Sequence, residues 1–318
     1  MSRPIFVFET TPRCSLACDY CYNVWKADGE VSPRELQLDD IEKIADSILE
    51  AHPISVTLTG GEPLLRDDLC GIVRLFRKRG ILVGIATNGL LLDRNRAELL
   101  KEAGASWFDV SVTSVSTEGY RKLTGTDGFA AVKQAMLAAV SSGAKLTVSH
   151  IITSRNLCDA GRVVDLACAF SADAVALNRF VPGGTGLANR HLLPTLKQLD
   201  SALKSADTRS IMCPGMMVYA ALPVEDCLLR HSNYPGITFG SCICGEGKWA
   251  ISPAGDLRVC EQSSRVLGNL LVSTFEQLSR SRYIEEFRSS NRNPDCRSCS
   301  SATVCGGGCR FLRDIPIL

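Results

Sequence analysis

Short apolar runs alternate along this chain with longer stretches in which apolar residues return every three or four positions. The runs cover residues 5–9, 54–58, 81–86, 107–112, 146–152 and 174–181. They are rich in Val, Ile and Thr, which predicts buried strands. Between them, Ile41, Ile44, Ala45, Ile48 and Leu49 recur at helical spacing behind Asp39 and Asp40, which can cap a helix. Leu69, Ile72, Val73 and Phe76 do the same behind Asp67 and Asp68, and Gly80, Gly104 and Gly143 stand where helices should stop. A repeated strand–helix alternation predicts parallel strands. Residues 1–190 are too short for a closed eight-unit barrel, which takes about 250 residues. The expected fold is therefore α/β, a partial (β/α)6 TIM-like barrel, with ligands entering at the C-terminal ends of the strands. Residues 14–21 come directly after the first strand and lie on that face.

The pattern changes after Pro182. Gly183, Gly184, Thr185 and Gly186 read as a turn, and residues 191–240, with prolines at 194, 214, 223 and 235, read as a linking or bridging region. Residues 241–318 read as a separate, small cysteine-rich module. The chain has 318 residues, is 45% hydrophobic and carries a formal net charge of +1. That balance gives no reason to expect nucleic acid or an anionic membrane as a partner. Residues 1–10 lack the long apolar segment of a signal peptide, and no apolar run approaches the ~18 residues that span a bilayer.

Fifteen cysteines change the picture. An odd count without an export signal argues against a disulfide framework. Most of them cluster at 14–21, 242–260 and 296–309, which fits metal ligands in a reducing cytoplasm. Cys70, Cys158, Cys168, Cys213 and Cys227 are scattered. Cys70 and Cys168 fall inside apolar helical patterns and are expected to be small core residues.

Cys14, Cys18 and Cys21 read C-x3-C-x2-C, with Tyr20 just before the last. Three thiolates on one short loop can hold three corners of a [4Fe–4S] cluster and leave the fourth iron free to chelate a small molecule. A structural zinc site would need a fourth ligand, and no His or further Cys lies nearby in sequence.

Placed after the first strand of a β-α array, this motif resembles that of the radical S-adenosylmethionine (SAM) enzymes. The resemblance implies that the open iron binds the methionine end of SAM, which one electron then cleaves to methionine and a 5′-deoxyadenosyl radical. Thr59-Gly60-Gly61-Glu62-Pro63 after the second strand matches the family's G-G-E-P element, so the backbone of Gly60, Gly61, Glu62 and Pro63 is expected to hold the SAM amino group. The glycines let the main chain approach a ligand that a Cβ would keep away. Thr87-Asn88-Gly89 resembles the family's T-N-G segment, which faces SAM. Ser111 ends the fourth run where relatives carry a SAM-contacting serine, although Thr113-Ser114 replaces the usual Asp-Gly. Arg179, in Asn178-Arg179-Phe180-Val181-Pro182, falls where relatives line adenine and ribose, and Tyr20 is expected to pack by the adenine.

The C-terminal module resembles the SPASM extension of peptide- and protein-modifying members. Cys244 precedes Gly255, which opens G-x4-C ending at Cys260, and Cys296, Cys299, Cys305 and Cys309 match C-x2-C-x5-C-x3-C. The resemblance implies two auxiliary [4Fe–4S] clusters. Cys244, Cys260 and Cys309, with Cys242 as the candidate fourth ligand, would hold one. Cys296, Cys299 and Cys305 would hold the other. The family's last cysteine is missing before Leu318, so Asp314, an open iron or a truncated chain are the alternatives there. Glu261 stands next to Cys260, where sulfatase-maturing relatives carry an acid that acts as a base. A carboxylate beside a polyanionic cluster in a dry pocket is expected to have a raised pKa, which suits a base.

Together these features imply an enzyme, a radical SAM maturase acting oxidatively on a peptide or protein side chain. The electron donor would be a flavodoxin or ferredoxin. Because the chain begins at its first strand, leader recognition would fall to a separate protein or to the barrel mouth. The alternatives are a radical SAM enzyme of cofactor biosynthesis, acting on a tetrapyrrole or quinone precursor, and a non-catalytic iron–sulfur electron carrier. Gly60 to Pro63 speaks against the carrier, which needs no SAM cradle.

Overall fold

A computed structural model describes residues 3–26, 34–290, 296 and 298–312. Asp314 lies outside the described residues. The strands are β1 (Ile5–Thr11), β2 (Ser55–Gly60), β3 (Leu82–Thr87), β4 (Ala105–Ser111), β5 (Lys145–Ile152), β6 (Ala174–Arg179), β7 (Met217–Ala220), β8 (Thr238–Phe239), β9 (Lys248–Ile251), β10 (Asp256–Arg258) and β11 (Gly268–Asn269). Helices α1 (Leu38–Leu49), α2 (Leu69–Lys78), α3 (Arg94–Ala103), α4 (Thr117–Thr124), α5 (Phe129–Ser141), α6 (Asp159–Ala169) and α7 (Leu196–Ser210) connect the first seven strands. Helices α8 (Phe275–Ser279), α9 (Arg282–Ser290) and α10 (Ala302–Cys305) come after β11.

All of these strands form one sheet in the order β11-β10-β9-β1-β2-β3-β4-β5-β6-β7-β8. β1 through β8 are parallel throughout, as the alternation with helices requires. The six runs read from sequence are β1 to β6, displaced by a residue or two at their ends. The expected break after Pro182 is not a break in the sheet. The bridging region supplies α7, β7 and β8, and the cysteine-rich module adds β9 to the free edge of β1, with Ile5 opposite Lys248 and Phe8 opposite Ile251. An uncovered β1 edge would leave a row of backbone groups unpaired, and β9 covers it.

Alternation along each strand separates two environments. Phe6, Phe8, Val56, Leu58, Val83, Ile85, Phe108 and Val110 point outward and are buried. They pack against Ile41, Ile44, Ile48, Ile72, Val73 and Phe76 of α1 and α2 and the apolar faces of the later helices. The residues between them point into the lumen. Gly84 is one of these, and a Cβ built there would lie 2.0 Å from the indole of Trp107. Glycine is what lets Trp107 lie across its neighbouring strand and fill that part of the lumen.

Three local expectations change. Asp39 and Asp40 lie inside the first turn of α1, where they favour the helix dipole, while the cap position is Gln37. Asp68 does occupy the cap position of α2 but makes no side-chain cap bond, because its carboxylate accepts from Arg66 at 2.8 and 2.7 Å. Cys168 forms a disulfide with Cys213, with Cα atoms 6.0 Å apart. The helical pattern placed Cys168 on α6, but α7 and the turn after it bring Cys213 against that helix.

Candidate active site

The loop carrying Cys14, Cys18 and Cys21 leaves β1 through a register shift between Glu9 and Thr11, where two residues of β1 oppose one of β2. Such a bulge bends the strand end and re-aims the loop leaving it. The end of β2 then clamps the departing chain. Gly61 N–H donates to Thr11 O at 2.7 Å and Glu62 N–H to Arg13 O at 2.7 Å. A Cβ at Gly61 would stand 2.0 Å from Arg13 O, so the two backbones lie against each other because Gly61 has none. Further along, Asp19 N–H donates to Leu123 O at 3.2 Å, Asn189 Nδ2 to Asp19 O at 2.9 Å and Gly186 N–H to Cys21 O at 3.1 Å.

Glu62 and Pro63 do not line the cavity that this loop borders. The Glu62 carboxylate is fully buried and accepts from Thr87 Oγ1 at 2.7 Å, Asn88 N–H at 2.8 Å and Leu64 N–H at 3.1 Å. Burial pushes its pKa up while these donors pull it down. The expected contact with SAM is through the main chain of this element, so the carboxylate is free to serve the fold. Glu62 is a positioning residue that ties the end of β2 to the Thr87–Asn88 segment, and Pro63 begins the short turn beyond it.

Tyr20, Gly60, Gly61, Thr87, Asn88, Ser111 and Arg179 do line a cavity of about 380 Å³ that fills the lumen below the loop. Cys14, Cys18 and Cys21 border it as well. Tyr20 Oη lies 2.5 Å from Thr113 Oγ1, which gives the chain's Thr113 a role in place of the expected Asp-Gly. Ser114 turns away and donates to the buried Asp159 at 2.6 Å. Arg179, 4% exposed, forks onto Glu225 at 2.9 and 3.3 Å, with Nε left unpaired.

The opposite wall comes from the C-terminal strands. Glu261, Gln262 and Lys248 line the cavity there. Lys248 Nζ donates to Glu261 Oε1 at 2.6 Å. Burial alone would raise the Glu261 pKa, but the Lys248 charge and hydrogen bond outweigh it and hold the carboxyl below its usual range. Nothing local in the chain signals that β9 will set an ammonium beside the acid.

Behind Glu261 the thiols gather. Cys244 is hydrogen-bonded to both Cys242 and Cys260, which raises its pKa, and burial pushes Cys309 up to about 12, with Cys260 and Cys242 in electrostatic reach. Cys242, Cys244, Cys260 and Cys309 therefore form one group. The second group is more open. Cys305 is buried, Cys296 partly buried and Cys299 exposed, and Asp226 N–H donates to Cys305 Sγ at 3.4 Å. Cys227, scattered in sequence, lies within electrostatic reach of Cys305 and Cys296. Among the described residues, no three His, Cys, Asp or Glu side chains converge closely enough for a single metal ion. A [4Fe–4S] cluster distributes its thiolates over separate irons and makes no such demand.

Sequence reading missed two lumen carboxylates, Glu9 and Asp109, since each sits inside a run otherwise typical of buried strands. Glu9 is fully buried and accepts from Trp25 Nε1 at 3.0 Å and from Arg258 Nη2. Asp109 lines the cavity, and its Oδ1 has no hydrogen-bond partner. Burial pushes its pKa from 3.8 to about 7, with the Ser149 hydroxyl pulling slightly back. The folded chain thus holds a proton that the unfolded chain releases. This group's contribution to stability is full below about pH 4 and is lost as pH rises through about 7. Asp109→Asn is expected to be more stable than the parent at pH 8, by at most about 4 kcal/mol, and to match it near pH 4. Urea unfolding at both pH values checks this, and equal differences at the two would contradict it.

Residues 8–167 match the radical SAM superfamily, and residues 242–300 match the iron–sulfur cluster-binding SPASM domain. The chain is 30% identical over 320 residues to the PqqA peptide cyclase of Streptomyces rochei, covering 96% of this chain and 83% of that protein. It is 29% identical over 312 residues to the PqqA peptide cyclase of Methylocella silvestris, covering 95% and 81%. Among solved structures, Streptococcus suis SuiB bound to its precursor peptide SuiA superposes with a TM-score of 0.76 at 18% identity, over 98% of this chain and 73% of that one. Native anSMEcpe with bound AdoMet gives a TM-score of 0.76 at 18% identity, over 99% and 93%. At those identities the two structures establish the shared fold.

Proposed function

This chain belongs to the radical SAM superfamily and carries its SPASM extension, and from that premise we propose that it oxidatively crosslinks or otherwise modifies side chains of a peptide held in its barrel. The observation that carries this reading is that the first cysteine motif borders a cavity whose far wall includes Glu261, the acid that accepts from Cys260 Sγ at 3.3 Å. Cys14, Cys18 and Cys21 border it at the mouth, and Glu261 and Lys248 line its far wall in front of the Cys242, Cys244, Cys260 and Cys309 group. The peptide reading is further supported by the PqqA peptide cyclases among its relatives.

The residues fit the family's cofactors. Cys14, Cys18 and Cys21 would hold the cluster that binds SAM, since they are the thiols bordering a cavity large enough for a small molecule. When bound, that cluster and SAM supply a one-electron cleavage whose 5′-deoxyadenosyl radical takes a hydrogen atom from the substrate. Tyr20, Gly60, Gly61, Asn88, Ser111 and Arg179 would seat SAM. Cys242, Cys244, Cys260 and Cys309 would hold one auxiliary cluster, and Cys296, Cys299 and Cys305 would serve the other. Glu261, kept ionised by Lys248, would accept the substrate proton. The remaining electron would leave on the Cys260 side, so the peptide loses one hydrogen atom, one proton and one electron. A flavodoxin or ferredoxin would deliver the starting electron in the cytoplasm, and a separate leader-binding protein would present the peptide.

The test is anaerobic reconstitution, then reduction with SAM, first alone and next with short peptides encoded beside the gene. 5′-Deoxyadenosine together with a peptide that has lost a pair of hydrogens is the expected result. 5′-Deoxyadenosine formation unaffected by every such peptide, with rapid turnover of a small cofactor precursor, would overturn the peptide reading.

A further inference from the structure

We propose that Asp109 anchors a cationic side chain of the substrate, the ammonium of a lysine or the guanidinium of an arginine, inside the barrel. The inference rests on the peptide reading above and names what that peptide must carry.

Asp109 points into the lumen from β4, two residues before Ser111. At a strand's rise this places it about 7 Å deeper than the ring of SAM-site candidates at the strand ends. Trp107, two residues further down the same strand, fills the lumen over Gly84. Ser149 on β5 and Tyr219 on β7 line the same cavity. A group bound at Asp109 is therefore enclosed by protein, with a carboxylate at its side and an indole further down the lumen, a setting suited to a cation.

The charges facing the cavity show why a cation is the fitting partner. Lys248 is matched by Glu261 at 2.6 Å, and Arg179 by Glu225 at 2.9 Å. Just outside the lining, Arg258 is matched by Glu9. Among the described carboxylates that line the cavity, Asp109 is the one without a cation, and its Oδ1 is buried with no donor. Burying such a group is costly unless a partner arrives. Once the group ionises, a neutral donor would satisfy the oxygen and leave the charge uncompensated, whereas an ammonium or guanidinium does both. Natural chains keep destabilising groups of this kind where binding uses them.

The test uses the reconstituted full chain with SAM bound and four probes: the N-acetyl amides of lysine, arginine, norleucine and glutamate. Norleucine has the lysine stem without its charge. Binding is measured by saturation-transfer NMR. The lysine and arginine probes are expected to bind the parent at least about tenfold tighter than norleucine, and Asp109→Asn to remove that preference, a loss of about thirtyfold where the pair is fully desolvated. Norleucine affinity is expected to stay within about twofold. Asp109→Ser serves as a second neutral variant, so that a folding defect in one does not decide the outcome.

Equal binding of lysine and norleucine probes to the parent overturns the proposal, as does a lysine preference that survives both variants. A drop in SAM affinity with the lysine preference intact also overturns it, since Asp109 would then serve SAM. SAM cleavage measured on the same preparations keeps the two readings apart. Its absence counts against the radical mechanism, while probe binding still decides the role of Asp109.

Discussion

Replacing Cys14, Cys18 and Cys21 together with alanine is expected to remove about four irons per chain and to abolish 5′-deoxyadenosine formation. The three thiols sit on one loop that leaves β1 through a bulge and is clamped by the Thr11–Gly61 and Arg13–Glu62 backbone bonds. None of those bonds involves a thiol, so this clamp survives in the variant, which loses the Leu16 N–H bond to Cys14 Sγ at 3.4 Å. The barrel core behind it is apolar and lies on the other side of the sheet. Far-UV circular dichroism should therefore match the parent. Iron and sulfide counts, with product measured by chromatography, check the outcome. Undiminished iron or persistent SAM cleavage in the triple variant would remove the loop from the catalytic centre. Replacing Cys296, Cys299 and Cys305 supplies the contrast: iron should fall by a similar amount, and SAM cleavage without peptide should remain.

Arg258→Met should cost about 3–5 kcal/mol of folding stability. Arg258 is 2% exposed and Glu9 fully buried, and burial already pushes the Glu9 pKa up in spite of the guanidinium. Removing the cation strands the carboxylate in a site where water cannot replace its partner. Arg258 Nη1 also donates to Ser263 O at 3.1 Å, a further acceptor left unmet. A chain of this size loses roughly 1.5 °C of melting temperature per kcal/mol, so a fall of about 4–8 °C is expected. Adding Glu9→Gln should recover much of that loss, since removing both charges of a buried pair is often nearly neutral. A single variant within about 0.5 kcal/mol of the parent would contradict the pair. The consequence reaches function because this ion pair joins residues 249 apart in sequence and fixes β10, which leads directly into Cys260 and Glu261.

Much of the barrel was legible in the chain because its determinants are local. Phe6 and Phe8, or Val83 and Ile85, alternate with lumen residues within one strand, and Ile41, Ile44 and Ile48 mark one helix face without reference to anything distant. The three glycines read as helix stops take positive φ, at +75° for Gly80, +113° for Gly104 and +73° for Gly143. The C-x3-C-x2-C spacing and the C-terminal cysteine spacings likewise depend on short stretches of chain. Asp39 and Asp40 show the limit even locally, since a residue's place within the first turn depends on where the preceding backbone begins the helix.

Local sequence thus dictates the strand–helix alternation and the face on which residues 14–21 emerge. Long-range packing supplied everything else. It brought β9 against β1 and so set Lys248 beside Glu261. It turned Glu62 inward to hold Thr87 and Asn88, paired Cys168 with Cys213, and left Asp109 as the lumen carboxylate without a cation. Periodicity reports which residues are buried, and motif spacing reports which donors share a loop. Neither reports which charge will face which across a lumen, because that depends on strands far apart in sequence meeting in one sheet.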